Sequence, residues 1–339
     1  MKAIRVNQPL HLEICEIPTP EQVGAEEVLI KVKAAGICGT DVHIYHGTRP
    51  TTEYPKIIGH EAAGEIVKVG ANVTKLRVGD HVAVDPVINC GVCYACSIGR
   101  PNICATVKCL GVHVDGVFTE YLVQPQQKVY KFSPDLTWEA LATAEPFSVA
   151  AEIVWRAQIS QADQVLIMGA GPIGLAVLQV AHNLGARCVV TDILDARLKL
   201  AQTMGAARVV NSTKESLLDV VQQETNGVGM QVVIEAVGAP KLFEEAVKIA
   251  SPAGRVVILG FTKQPAQLGE FDLTTKELDI RGSRMNAGKF PDVAAWFDAG
   301  AVQPAKLVTH AFPFTEIAQA LKLIEEQPGE TCKVILTFN

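Results

Sequence analysis

Residues 164–174 read Gln-Val-Leu-Ile-Met-Gly-Ala-Gly-Pro-Ile-Gly. An apolar run of strand length ends in three glycines spaced G-x-G-x-x-G and passes directly into a helical pattern over 174–184. In such a strand–turn–helix unit the first glycine makes the tight turn and the second lets the backbone approach a pyrophosphate. The third lets the helix pack against the strand. The helix N-terminus adds free N–H groups and the positive end of its dipole. Gly169, Gly171, Pro172, Ile173 and Gly174 are therefore the candidate cofactor contacts. Asp192 closes the next apolar run, 18 residues past Gly174. A carboxylate there accepts hydrogen bonds from both ribose hydroxyls and repels a 2′-phosphate, which favours NAD over NADP. Arg197, about one turn farther on, is placed to lie along the adenosine. A Gly-rich turn of a flavodoxin-like domain, and NADP where nearby cations reverse the preference, stay open as alternatives.

The same rhythm continues outward. Short β-branched runs at 165–168, 188–191, 208–210, 232–234, 256–259 and 278–280 enclose helical patterns at 174–184, 195–204, 217–224 and 241–250. Apolar runs without alternation, separated by amphipathic helices, specify a parallel sheet covered on both faces. Six of them predict a doubly wound α/β dinucleotide-binding domain over residues 151–286.

Residues 1–150 read differently. The segment 28–34 (VLIKVKA) alternates, 64–69, 81–84 and 118–123 are further short strand candidates, and no long helical period precedes Trp138. This predicts an antiparallel β domain resembling a partly closed barrel. The tail carries helical patterns at 293–299 and 315–325 and a strand at 333–338, and is expected to fold back as residues 287–339 of that first domain. Two domains also suit a length of 339 residues.

With 48% hydrophobic and 19% charged residues the chain is a folded globular one, and its net charge of −6 comes without a basic tract. That excludes nucleic acid and anionic lipid as expected partners. The uncharged stretch 165–181 is short for a spanning helix and is broken by Gly169, Gly171, Pro172 and Gly174. No signal-peptide pattern opens the chain, so the expectation is a cytoplasmic protein with a small-molecule substrate.

Four of the nine cysteines fall within fifteen residues, as Cys90-x2-Cys93-x2-Cys96-x7-Cys104. Four thiolates complete a tetrahedron around Zn²⁺ at about 2.3 Å each and leave no position for water, so this lobe, about 88–106, reads as a structural zinc site. A redox-active dithiol cluster is the competing reading. Cys15, Cys109, Cys188 and Cys332 read as small buried hydrophobes, and His46, His81, His113, His182 and His310 as structural or surface residues. Donors for a second, open site are scattered: Cys38 in GICGTDVH, His60 and Glu61 in IIGHEAAGE, and Glu145 in ATAEPFSVA. Spacing alone does not assemble them.

GICGTDVH, GHEAAGEIVKVG, the four-cysteine lobe, EPFSVA and GAGPIG occur together and in this order. In this the chain resembles the zinc-dependent medium-chain dehydrogenase/reductase family over essentially its whole length, on the sorbitol and threonine dehydrogenase branch. The lobe sequence looks most like that of bacterial sugar-acid dehydrogenases of the L-galactonate/L-gulonate 5-dehydrogenase type. The resemblance implies a GroES-like barrel joined to a Rossmann domain, NAD, and two zinc ions per chain. It implies that Cys38, His60 and Glu145 hold the catalytic zinc, with Glu61 as a fourth ligand or exchanging with water. A carboxylate at 145 replaces the cysteine of alcohol-dehydrogenase-type members and makes a harder site.

It further implies that Thr40 takes the alcohol proton toward the NAD ribose and that His43 passes it to solvent, while Asp41 is expected to orient a ligand or this relay. Arg284 in GSRMN matches a basic, substrate-facing position of sorbitol dehydrogenase-like enzymes, and a guanidinium suits a carboxylate. The expected reaction is oxidation of a secondary alcohol of a sugar acid or polyol, in a homodimer or homotetramer joined through residues 278–282. Threonine or butanediol dehydrogenase, an inactive NAD-binding regulator and a cysteine redox sensor are the competing readings.

Overall fold

The computed structural model describes residues 1–50 and 52–338. Contacts divide the chain into two compact units, Met1–Ser148 with Asn286–Asn339, and Val149–Met285.

The second unit is a six-stranded sheet in the order Arg208–Asn211, Arg187–Asp192, Gln164–Met168, Met230–Glu235, Ala250–Ile258, Asp279–Gly282. Every pairing is parallel. Its strands are buried on both faces: Leu166, Met168, Val189, Val233 and Val256 pack with Leu217, Val221, Ala246 and Ile249 in one core, while Val165, Ile167, Val190, Val232 and Ile234 are buried on the other face. The order reverses beside Gln164–Met168, so the Gly-rich turn stands at the carboxyl edge where such sheets take a ligand. The stretch 165–181 is thus a buried strand, a turn and a buried helix, and no helix among the described residues is long and apolar enough to cross a membrane.

In the first unit the strand Glu27–Ile37 organises a seven-stranded sheet. It pairs antiparallel with Glu61–Val69 on one side, and on the other with Tyr121–Pro125 along its first half and Lys333–Thr337 along its second. Serving two partners on one edge requires the strand to bend, and register shifts at Leu29/Ile30 and Val32/Ala34 permit it, giving the partly closed barrel. The C-terminal strand is therefore central to this unit. A hairpin of Lys2–Gln8 and His11–Glu16 is an addition to the sequence reading, as is the helix Gly39–Tyr45. Asn286, with 1% of its surface exposed, donates from Nδ2 to Asp85 Oδ1 at 3.3 Å and ties the returning segment to the barrel.

Candidate active site

The antiparallel register assembles the site. Glu27–Ile37 ends one residue before Cys38, and Gly36 lies opposite Glu61 at the start of the next strand. His60 and Glu61 therefore arrive at the same end of the sheet as Cys38. On the other side Val334 lies opposite Ile37, which brings Lys333 there as well. One donor atom each from Cys38, His60 and Glu61 lies within 4.8 Å of the others.

Asp41 ties the two ligand-bearing loops together. It is fully buried, its Oδ2 accepts from Cys38 N at 2.9 Å, and its Oδ1 accepts from Gly59 N at 3.0 Å. The same Oδ1 stands 3.8 Å from His60 Nδ1, beyond hydrogen-bond reach, and that buried nitrogen has no hydrogen-bond partner. Burial opposes charging the His60 imidazole, but Asp41 and Cys38 outweigh it and raise its pKa. Glu61 Oε1 accepts from Lys333 Nζ at 2.7 Å, both side chains being almost wholly buried, and Lys333 also donates to Ile37 O at 3.2 Å. Glu61 Oε2 is buried with no hydrogen-bond partner. A thiol, an imidazole and an unsatisfied carboxylate oxygen converging in a negative environment fit a divalent zinc ion.

Glu145 stands outside this set of converging donors. It lies in the first turn of a separate helix, Ala144–Ala157, buried. Burial raises its carboxyl to about 7 against the nearby charge of His60, with Glu61 raising it further. The geometry thus gathers Cys38, His60 and Glu61, and Glu145, whose carboxyl responds to the charges of both His60 and Glu61, is kept as a proposed ligand beside them. Thr40 and His43 lie three residues apart on Gly39–Tyr45 and so share a face, opposite the buried Asp41. Exposed His43 bonds through Nδ1 to Thr48 Oγ1 at 2.9 Å.

The four lobe sulfurs also lie within 4.8 Å of one another. Backbone N–H groups point at them: Cys90 N to Cys104 Sγ at 3.3 Å, Thr106 N to the same sulfur at 3.4 Å, and Cys93 N to Cys90 Sγ at 3.4 Å. The bonds from Cys90 and Thr106 lower the Cys104 thiol to about 6, while partial burial beside Cys93 raises Cys96 to about 11. Four thiols this close ionise together only around a cation, and the donor set fits zinc.

In the nucleotide turn Gly169 has φ +104°, and a Cβ on Gly174 would stand 1.9 Å from Gly169 O, so both positions require glycine. At Gly171 a Cβ would meet nothing within 4 Å, which is the space a phosphate needs. Gly171 caps the helix Pro172–Asn183 without a side-chain bond. Asp192 Oδ2 accepts from Ala170 N at 2.8 Å and Oδ1 from Leu194 N at 3.0 Å, which binds the turn to the end of the second strand. Arg197 is half-buried on Asp195–Thr203. The Arg284 guanidinium carbon stands 5.5 Å from the Phe261 ring centroid.

Of the residues without a motif, Cys109 and Cys188 are buried as expected, but Cys15 and Cys332 are only half-buried. His113 accepts from Cys109 N at 3.0 Å, and His46 pairs with Glu325 at the surface. Lys333 is the site residue the sequence reading missed. Its one signal is a lysine opening the apolar run VILTF.

Two family models match the chain: the alcohol dehydrogenase GroES-like domain over residues 24–134 and the zinc-binding dehydrogenase model over 172–299. The starvation-sensing protein RspB of Escherichia coli K12 is 43% identical over 344 residues, covering all of both chains. This chain belongs to the zinc-binding alcohol dehydrogenase family. Within that family, the L-galactonate-5-dehydrogenase of E. coli K12 is 35% identical over 95% of this chain and 94% of its own. The solved structure of the short chain alcohol dehydrogenase rspB from E. coli CFT073, complexed with cofactor NADH, superposes with a TM-score of 0.94 at 43% identity. It covers 100% of this chain and 99% of that one. The GroES-like and nucleotide-binding halves are those of this dehydrogenase family.

Proposed function

We propose that this dehydrogenase oxidises a secondary alcohol of a sugar acid or polyol, of the L-galactonate or L-gulonate kind, and passes the hydride to NAD. The observation that carries the reading is the convergence of Cys38, His60 and Glu61 at one end of two neighbouring strands. When bound there, zinc supplies Lewis acidity toward the alcohol oxygen and NAD supplies the hydride acceptor. The chain's own residues do the rest. Thr40 relays the alcohol proton toward the NAD ribose, giving up its own hydroxyl proton as it accepts, and His43, on the same helix face, passes it to solvent. Asp41 holds the backbone of Cys38 and of Gly59, next to His60, and Lys333 balances the charge of Glu61. A second zinc on Cys90, Cys93, Cys96 and Cys104 staples the lobe and takes no part in the chemistry.

Asp192 selects NAD through the ribose hydroxyls. For Asp192→Ala, steady-state kinetics are expected to show KM for NAD rising about tenfold or more, the worth of a charge-assisted hydrogen bond, with NADP discrimination narrowing. An unchanged NAD/NADP ratio would remove that assignment.

The sugar-acid class is supported by the galactonate-oxidising relative and by Arg284, whose guanidinium suits a substrate carboxylate. NADH formation with zinc-replete protein is to be compared across aldonates, hexitols, threonine and butanediol. The highest kcat/KM is expected with an aldonate; a clear preference for threonine or butanediol would replace the substrate class. Arg284→Ala is expected to raise KM for the aldonate by about tenfold or more through loss of charged hydrogen bonds. A neutral hexitol should be little affected, and equal losses for both would point to a role in cofactor binding instead.

We place the enzyme in the cytoplasm, where the thiol lobe stays reduced. Asp279–Gly282 is the edge strand of the nucleotide-binding sheet and is our candidate for pairing with a second copy across a two-fold axis.

A further inference from the structure

Glu61 reaches its position across a strand that has no side chain at the crossing point. Gly36 faces it directly in the register, and a Cβ on Gly36 would stand 1.9 Å from Glu61 Oε2, 3.0 Å from Cδ and 3.3 Å from Cβ. The backbone does not demand glycine here, since Gly36 is not among the positive-φ residues and its neighbours Ala34 and Ala35 carry side chains within the same strand. What the glycine provides is space. Glu61 Oε1 is held by Lys333 at 2.7 Å, so the carboxylate is fixed at one oxygen, and the vacant volume over Gly36 receives the other. That second oxygen is the buried one without a partner.

We infer that Gly36 is a positioning residue for the zinc site: its missing side chain lets the Glu61 carboxylate lie flat on the strand and aim Oε2 at the ion shared with Cys38 and His60. The inference rests on the reading of Glu61 as a ligand. A methyl group at 36 fits the strand backbone and strikes the Glu61 side chain, so Gly36→Ala is expected to fold by turning the carboxylate aside and off Lys333. The site then keeps Cys38 and His60 and loses its third donor.

The test is a double-mutant comparison of Gly36→Ala, Glu61→Ala and the pair, read by zinc content after dialysis against a graded chelator and by the visible spectrum of the cobalt(II)-substituted protein. Gly36→Ala is expected to retain the lobe zinc and to weaken the other about 10- to 100-fold, the usual effect of disturbing a group that orients a metal ligand. Glu61→Ala should weaken it at least as much, and adding Gly36→Ala to Glu61→Ala should change neither affinity nor spectrum. Should Gly36→Ala fail to fold while the pair folds, the conflict lies with Glu61 and the inference stands; should both fail, it falls. Wild-type zinc affinity and spectrum in Gly36→Ala, beside a weakened Glu61→Ala, overturn the role of Gly36 alone. Wild-type affinity in both variants overturns the ligand reading of Glu61 and the inference with it.

Discussion

Cys38→Ser is expected to lower kcat/KM by about a thousandfold or more and to reduce the zinc content from two ions per chain to one. Lewis-acid stabilisation of a developing alkoxide contributes several kcal/mol, and about 4 kcal/mol corresponds to a factor of roughly 10³ in rate. The thiolate is the softest donor of the three, and serine offers a neutral hydroxyl that does not replace it. The change is local. Cys38 precedes the short helix Gly39–Tyr45, and the bonds that fix this corner run through Asp41 to the backbone of Cys38 and Gly59. The melting temperature should therefore move little while activity collapses. A variant retaining more than about a tenth of the wild-type kcat/KM would show that the chemistry does not pass through this cluster.

Cys96→Ser should behave in the opposite way. The lobe has almost no core of its own: none of the residues in Tyr94–Ser97 is buried, and Val92 and Tyr94 are 86% and 79% exposed. Its order must come from the metal, and for sites of this kind metal binding is itself folding free energy. Losing one thiolate is expected to open the segment Cys90–Cys104 locally while the sheets on either side hold. Limited proteolysis is the direct readout. Cleavage within the lobe should accelerate by about a hundredfold or more, equivalent to about 3 kcal/mol of lost local stability, with the remaining zinc and most of the activity retained. Unchanged proteolysis would mean that packing, not zinc, orders the lobe.

The nucleotide-binding half was legible because its local and global signals agree: strands buried on both faces read as unbroken apolar runs, and each gap carries a helical period. Edges were less legible. The helix Pro240–Ile249 passes without a loop into the strand Ala250–Ile258, whose first residues ASPAG read as a turn, so that strand was expected only from 256. In the barrel half, Gly39–Tyr45 escaped notice because it opens on glycine and carries β-branched Thr40, Val42 and Ile44, all weak helix formers. It is held by the Asp41 bond to Cys38 rather than by propensity. The strand Lys2–Gln8 of the hairpin hides its buried residues, Ala3, Ile4 and Val6, among charged and polar neighbours.

At the site, motif order names Cys38, His60, Glu61 and Glu145, but that the first three converge depends on strand register. Glu61 sits opposite Gly36 in the sheet, whereas Glu145 comes from a helix on another path. Lys333 lies 272 residues from Glu61, and no local pattern announces a contact at that separation.

Anomalous diffraction at the zinc absorption edge, on crystals of the zinc-replete protein with NAD, bears most directly on all of this. Two peaks per chain are expected: one central to Cys90, Cys93, Cys96 and Cys104, the other within about 2.0–2.4 Å of Cys38 Sγ, a His60 ring nitrogen and a Glu61 oxygen. No peak at Cys38, His60 and Glu61 in protein that turns over substrate would contradict the assignment of the reaction to that cluster.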